Sequence, residues 1–222
     1  MPTLPCHPSH FGRPLLVAAF AAAGLLAGTG SALAHDEHAM HSAAAQAAVK
    51  PGSVTVRGLD TTLLDQDGRS VHLRRDVVGE RIVVVNFVYT TCTTVCPVAS
   101  AMFGELQQRL GEQLGREVAL VTITVDPLRD TPARLKAYAA KFEARPGWTW
   151  LTGPSVAVND VLKGMGAYAP DFTQHPLMVL IGDGKRGSWT RFAGTPDPQR
   201  LAAHVTQLLQ ARAATAQDKS GG

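Results

Sequence analysis

The stretch Asn86-Phe87-Val88-Tyr89-Thr90-Thr91-Cys92-Thr93-Thr94-Val95-Cys96-Pro97, entered from the apolar run Ile82-Val83-Val84-Val85, decides how this chain is read. Residues 82–89 are almost continuously apolar, as in a strand buried on both faces of a parallel sheet. Pro97 lacks an N–H and fits an α-helix only in its first turn. A helix therefore begins near Cys96, and Cys92 lies just before it or in its opening turn. Within a helical turn a spacing of four puts both sulfurs on one face, and the helix N-terminus favours their thiolate form. The alternative is a pair of inert core cysteines, which fits poorly with the threonines at 90, 91, 93 and 94. A thiol pair at such a turn binds a soft metal ion, exchanges with disulfides, or does both. The spacing is not C-x-x-C, and there is no second pair of cysteines to complete a tetrahedral zinc site.

The rest of the chain extends this strand–helix unit. Residues 54–56 read as extended. Residues 62–64 and 71–73, joined across Asp67-Gly68, read as a β-hairpin. A helix is expected from about 96 to 114, with Val98, Met102, Leu106 and Leu110 as its apolar stripe. Residues 118–125 form a second buried strand, completing a right-handed βαβ unit. Thr131-Pro132 reads as a helix cap with proline at the first position, opening a helix to about 143. A short strand at 148–151, a helix at 154–168, strands at 177–182 and 188–193 around the turn 183–187, and a helix from Asp197-Pro198 to about Arg212 follow. Residues 213–222 read as a disordered tail. The fold class is α/β, with a central mixed sheet flanked by helices and an N-terminal β-hairpin extension. The order βαβ, helical crossover, ββα is that of the thioredoxin-like fold.

The N-terminal region reads as targeting sequence. Arg13, the apolar residues 15–26 and Ala32-Leu33-Ala34 give a signal peptide over 1–34, with an uncleaved membrane anchor as the alternative. Gly24, Gly28 and Gly30 and the small-residue exit favour cleavage, which removes Cys6 and leaves Cys92 and Cys96 as the only thiols. The destination is a periplasm or equivalent oxidising space, where thiols stay reduced only with a reductant or a bound metal. Residues 35–51 read as a disordered leader; its His35, His38, Met40 and His41 can capture copper or zinc loosely. Residues 52–212 are one domain's worth of chain. The net charge is +3 without a basic run, so nothing points to nucleic acid or to a membrane-surface patch.

Two thiolates need a third partner to hold an ion. His175 stands in Phe172-Thr173-Gln174-His175-Pro176, just before the strand at 177. In a thioredoxin-like fold that loop packs beside the thiol-bearing helix terminus. Two thiolates and an imidazole suit Cu(I), and accept Cu(II) with an added ligand. His72 and His204 have no comparable context and read as surface or structural residues.

The segment Asn86 to Pro97, together with Asp126-Pro127-Leu128-Arg129-Asp130-Thr131-Pro132, Leu151-Thr152-Gly153 and His175 before an apolar strand, resembles the Sco/SenC copper-binding assembly proteins of respiratory oxidases. The resemblance covers residues 52–209. It implies a thioredoxin-like fold holding a copper ion through Cys92, Cys96 and His175, with Asp126 in support. It also implies a role in maturing the dinuclear copper site of cytochrome c oxidase subunit II, or of another cuproprotein client, by delivering copper or by reducing the client's cysteines with a periplasmic thiol reductant. Two departures stand out: family members are often membrane-anchored, and Gln174-His175-Pro176 replaces the usual Asp-His-Ser. Pro176 falls where thioredoxins carry a loop proline against the substrate disulfide, which brings thiol-disulfide reductase forward as the alternative, with Cys92 and Cys96 as catalytic residues. A thiol peroxidase is the third reading, because Thr93 to Pro97 resembles the T-x-x-C turn of peroxiredoxins, with Arg129 or Arg191 supplying charge.

Overall fold

The computed structural model describes residues 51–220. The expected signal peptide over 1–34, Cys6 and the histidine-bearing leader up to residue 50 lie outside the described residues. One eight-stranded sheet organises the domain, in the order β1-β8-β7-β4-β5-β6-β2-β3. Its centre is β4 (Ile82–Val88), β5 (Val118–Thr124) and β6 (Trp148–Thr152), all parallel. Every residue of β4 and β5 is buried, as their unbroken apolar sequences require. On one side β7 (Met178–Asp183) runs antiparallel to β4, followed by β8 (Ser188–Ala193) and β1 (Gly52–Val54). On the other, β2 (Thr62–Asp65) joins β6 and carries β3 (Ser70–His72) as a hairpin.

Both faces of the sheet are covered. One carries α1 (Val95–Leu110), α2 (Pro132–Ala140) and the buried side of α4 (Pro198–Ser220), packed over Val84, Leu120 and Trp150. The other carries α3 (Ser155–Met165) and a π-helical turn at Leu73–Val78, over Val83, Val85 and Val121. Among the described residues no helix is long and apolar enough to cross a membrane.

The structure corrects the sequence reading at three places. The first strand is Gly52–Val54 rather than 54–56, and it pairs with β8 at the edge opposite the hairpin. In α1, Val98 is 58% exposed, whereas Met102, Leu106 and Leu110 of the expected stripe are buried, together with Cys96, Ala99, Ser100 and Phe103. Only the first member of the stripe departs, because near the helix N-terminus the inward positions are those of Cys96 and Ala99 on either side of Val98. Finally, α4 does not stop near Arg212 but runs to Ser220, so the supposed tail is helical through that residue. Ala213, Ala214, Ala216 and Gln217 are strong helix formers, and the turn before them is tied down. Arg212 Nη2 bonds the fully buried Asp183 at 2.5 Å, and Arg186 Nη2 donates to the Ala211 carbonyl and to Thr215 Oγ1.

Candidate functional site

Strand β4 ends at Val88, and the next residues turn sharply into α1. The turn is held by a carboxylate that sequence reasoning did not single out. Asp130, 1% exposed, accepts from the Thr90 N–H at 3.0 Å, from Thr90 Oγ1, and from Thr124 Oγ1 at 2.6 Å. It thereby fastens the thiol loop to the end of β5. Its one signal in the sequence is its place in the segment Asp126 to Pro132.

Cys92 and Cys96 are both free thiols and both buried, at 6% and 1% exposure. The structure brings them together at the start of α1. The Cys96 N–H donates to Cys92 Sγ at 3.3 Å, and Thr94 Oγ1 lies 3.9 Å from the same sulfur. Burial raises the pKa of the Cys92 thiol, but hydrogen bonds from the Cys96 thiol, the Cys96 and Thr94 N–H groups and the Tyr89 hydroxyl outweigh it, lowering it to about 7. Cys96 goes the other way, pushed up to about 12 by burial and by its charged neighbour Cys92. The pair is therefore asymmetric: one sulfur is ready to ionise and the other holds its proton.

His175 follows a short 3-10 turn, Phe172–Gln174, whose start is capped by Asp171 Oδ1 accepting from Thr173 at 3.0 Å. Pro176 keeps His175 extended, with ψ at 144°. The imidazole is 9% exposed, its Nδ1 has no hydrogen-bond partner, and burial lowers its pKa. Its ring lies edge-on to Tyr89 at 6.2 Å between centroids, and Phe172 meets the same tyrosine at 5.1 Å. Tyr89 thus stands between the histidine loop and Cys92. Among the described residues no three His, Cys, Asp or Glu side chains converge closely enough to hold an ion. The structure joins the two thiols and sets His175 on the far side of Tyr89 from Cys92, short of a common coordination shell.

A SCO1/SenC family profile matches residues 52–210, the whole of this domain up to the middle of α4. The chain belongs to the SCO1/SenC family. A SCO1 protein homolog of Bacillus subtilis is 35% identical over 95 residues, 42% of this chain and 48% of the relative. The match spans about half the length of the first curated relatives, or less. A SCO1/SenC family lipoprotein from Bacillus anthracis superposes with a TM-score of 0.60 at 25% identity, covering 71% of this chain and 97% of that one. The copper-bound ScoI of Bradyrhizobium japonicum, also 25% identical, gives 0.55 and covers 72% of this chain and 99% of its own.

The other residues singled out in this SCO1/SenC sequence have distinct places. Asp126, 3% exposed, does not point a free carboxylate at the thiols; it pairs with Arg129 Nη1 at 3.1 Å. Arg129 in turn lies over the Phe172 ring at 5.8 Å, linking the Asp126 loop to the histidine loop. Arg191 lies against Gly166, where α3 ends in a left-handed turn (φ 72°). A side chain at residue 166 would meet the movable Arg191 Nη2 at 2.5 Å, so it is the left-handed backbone that calls for glycine there. His72 Nδ1 caps the π-helical turn, accepting from Arg75. His204 packs edge-on to Phe192 at 5.3 Å.

Proposed function

We propose that this protein carries a copper ion as cargo, held by Cys92, Cys96 and His175, and hands it to a cuproenzyme during assembly in the periplasm. The dinuclear copper site of cytochrome c oxidase is the leading client. The observation that carries this reading is the buried Nδ1 of His175, left without a partner across Tyr89 from a buried thiol pair. An unmade bond at such an atom costs about 1–3 kcal/mol, a cost offset when the nitrogen ligates a metal. Two thiolates and an imidazole are a soft donor set that favours Cu(I). Completing that set requires the Phe172–Pro176 segment to carry His175 inward past Tyr89. The copper-bound ScoI relative supports the choice of metal.

The test is a Cu(I) competition titration of the reduced domain alongside His175→Ala and Cys92→Ala. Tight one-to-one binding that weakens by at least tenfold in both variants supports the three-residue site. Binding indifferent to His175 overturns it.

The asymmetric thiols favour thiol-disulfide reduction as a second reading. The Cys92 thiolate attacks a client disulfide, forming a mixed disulfide and expelling one client thiolate. Cys96 then gives up its proton and attacks the Cys92 sulfur. This releases the second client thiol and leaves a Cys92–Cys96 disulfide, which an external dithiol reduces. Mixed-disulfide trapping on Cys92 in Cys96→Ala, with no copper dependence, would bring this reading to first place. The peroxidase reading loses ground, because Cys96 is the sulfur that holds its proton, Arg129 is paired with Asp126, and Arg191 lies at the end of α3.

A further inference from the structure

Behind Cys96 the core is unexpectedly polar. Asn86 on β4, Thr122 on β5 and Trp150 on β6 are register partners, so they form one row across the sheet, on the face covered by α1 and α2. Thr122 is fully used: its hydroxyl donates to Asn86 Oδ1 at 2.7 Å and accepts the Trp148 indole N–H at 2.9 Å. Its two neighbours are not. Asn86 Nδ2 and Trp150 Nε1 are buried without partners, and so are Ser100 Oγ on α1 and Tyr138 Oη on α2. These four side chains are 0–5% exposed.

They belong together. Ser100 lies one turn beyond Cys96 on the same inward face of α1. The Tyr138 ring meets Trp150 edge-on at 5.8 Å. The hydroxyls of Tyr138 and Ser100 lie near each other without closing a hydrogen bond of normal geometry, on the side of the core that holds Cys96. All four orphans are donors: an amide NH2, an indole N–H and two hydroxyls. Packing apolar side chains around four donors leaves them all unsatisfied, whereas one acceptor in their midst satisfies several. Buried water takes this role where two to four polar partners converge.

We propose that Asn86, Ser100, Tyr138 and Trp150 enclose a buried water site that hydrogen-bonds the Cys96 sulfur from the protein interior. The four act as positioning residues. They give the Cys96 sulfur a hydrogen-bonded backing that is shut off from bulk solvent. Hydrogen bonding to a ligand sulfur is a recognised way of tuning a thiolate–metal centre. The consequence for copper rests on the function proposed above; the water site itself does not.

The test therefore uses the reduced, metal-free protein. In 15N-edited NMR, the Trp150 indole N–H is expected to show a direct cross-peak to water despite its burial. The Trp148 indole, already bonded to Thr122, serves as the internal control and shows none. Tyr138→Phe combined with Ser100→Ala should abolish the Trp150 signal, and Ser100→Thr, which keeps the hydroxyl, should preserve it. An atomic-resolution crystal structure should place a water in contact with both Tyr138 Oη and Cys96 Sγ. A Trp150 indole as silent as that of Trp148 in the unmodified protein overturns the proposal, as does a water out of reach of Cys96. Loss of copper binding in His175→Ala leaves these readouts unchanged, so failure of the copper assignment and failure of the water site are told apart.

Discussion

The sulfur of Cys92 accepts the backbone N–H of Cys96 at 3.3 Å and so caps helix α1, a task that the side chain of Thr94, the formal cap residue, leaves undone. One atom serves as helix cap, candidate ligand and candidate nucleophile. Cys92→Ala should therefore destabilise the reduced domain by about 1 kcal/mol, with Cys92→Ser recovering most of the loss because its oxygen accepts the same bond. Urea denaturation under reducing conditions measures both; equal stability of the two variants would rule out the cap.

The two thiols should give opposite pH signatures. The folded Cys92 value of about 7 lies below the ordinary 9.0, so its thiolate stabilises the fold fully above about pH 9 and ceases to do so as pH falls through 7. Cys96, raised to about 12, contributes below pH 9 and loses that contribution as pH climbs toward 12. The stability gap between the reduced protein and Cys92→Ala should widen from about pH 6 to about pH 9, by at most about 2–3 kcal/mol. Thermal melts across that range provide the check. Iodoacetamide labelling of Cys92 should reach half its limiting rate near pH 7, and Cys96→Ala should move that midpoint upward.

Asp130 is the clamp of the thiol loop. Asp130→Ala strips the acceptor from Thr90 and Thr124 together, and a loss of about 2–4 kcal/mol is expected. Labelling of Cys92 should also accelerate as the loop frees itself. A melting temperature unchanged within error would show the loop to be held by something else.

Phe172 links Arg129 to Tyr89 through two ring contacts. Removing it in Phe172→Ala loosens the segment that carries His175 without touching either sulfur. Cu(I) affinity should fall about threefold to tenfold, equivalent to roughly 0.6–1.4 kcal/mol, while the Cys92 labelling midpoint stays near its original pH. A shift in that midpoint would mean that Phe172 acts on the thiols rather than on the histidine loop.

The central strands were legible because β4 and β5 are buried on both faces and so are apolar at every position. The thiol turn was legible because Pro97 permits only one helix start. What escaped reading depends on contacts remote in sequence. Asp130 reaches back 40 residues to Thr90, and nothing local marks it apart from Asp126. The exposure of Val98 follows from the inward positions that Cys96 and Ala99 take on either side of it. The π-helical turn at Leu73–Val78 is too short to show a period, and its cap is a histidine rather than a serine or aspartate. The row Asn86, Thr122 and Trp150 becomes visible only once three strands are in register.

The two outermost strands, β1 and β3, are three residues each, and both belong to the N-terminal part of the domain. A strand so short offers a passing chain few backbone groups to pair with. Because β1 docks on β8, that edge of the sheet is completed only after nearly the whole domain has been synthesised. The fully buried strands β4 and β5 never form an edge, and what edge the sheet keeps is too short for a second copy of the chain to extend.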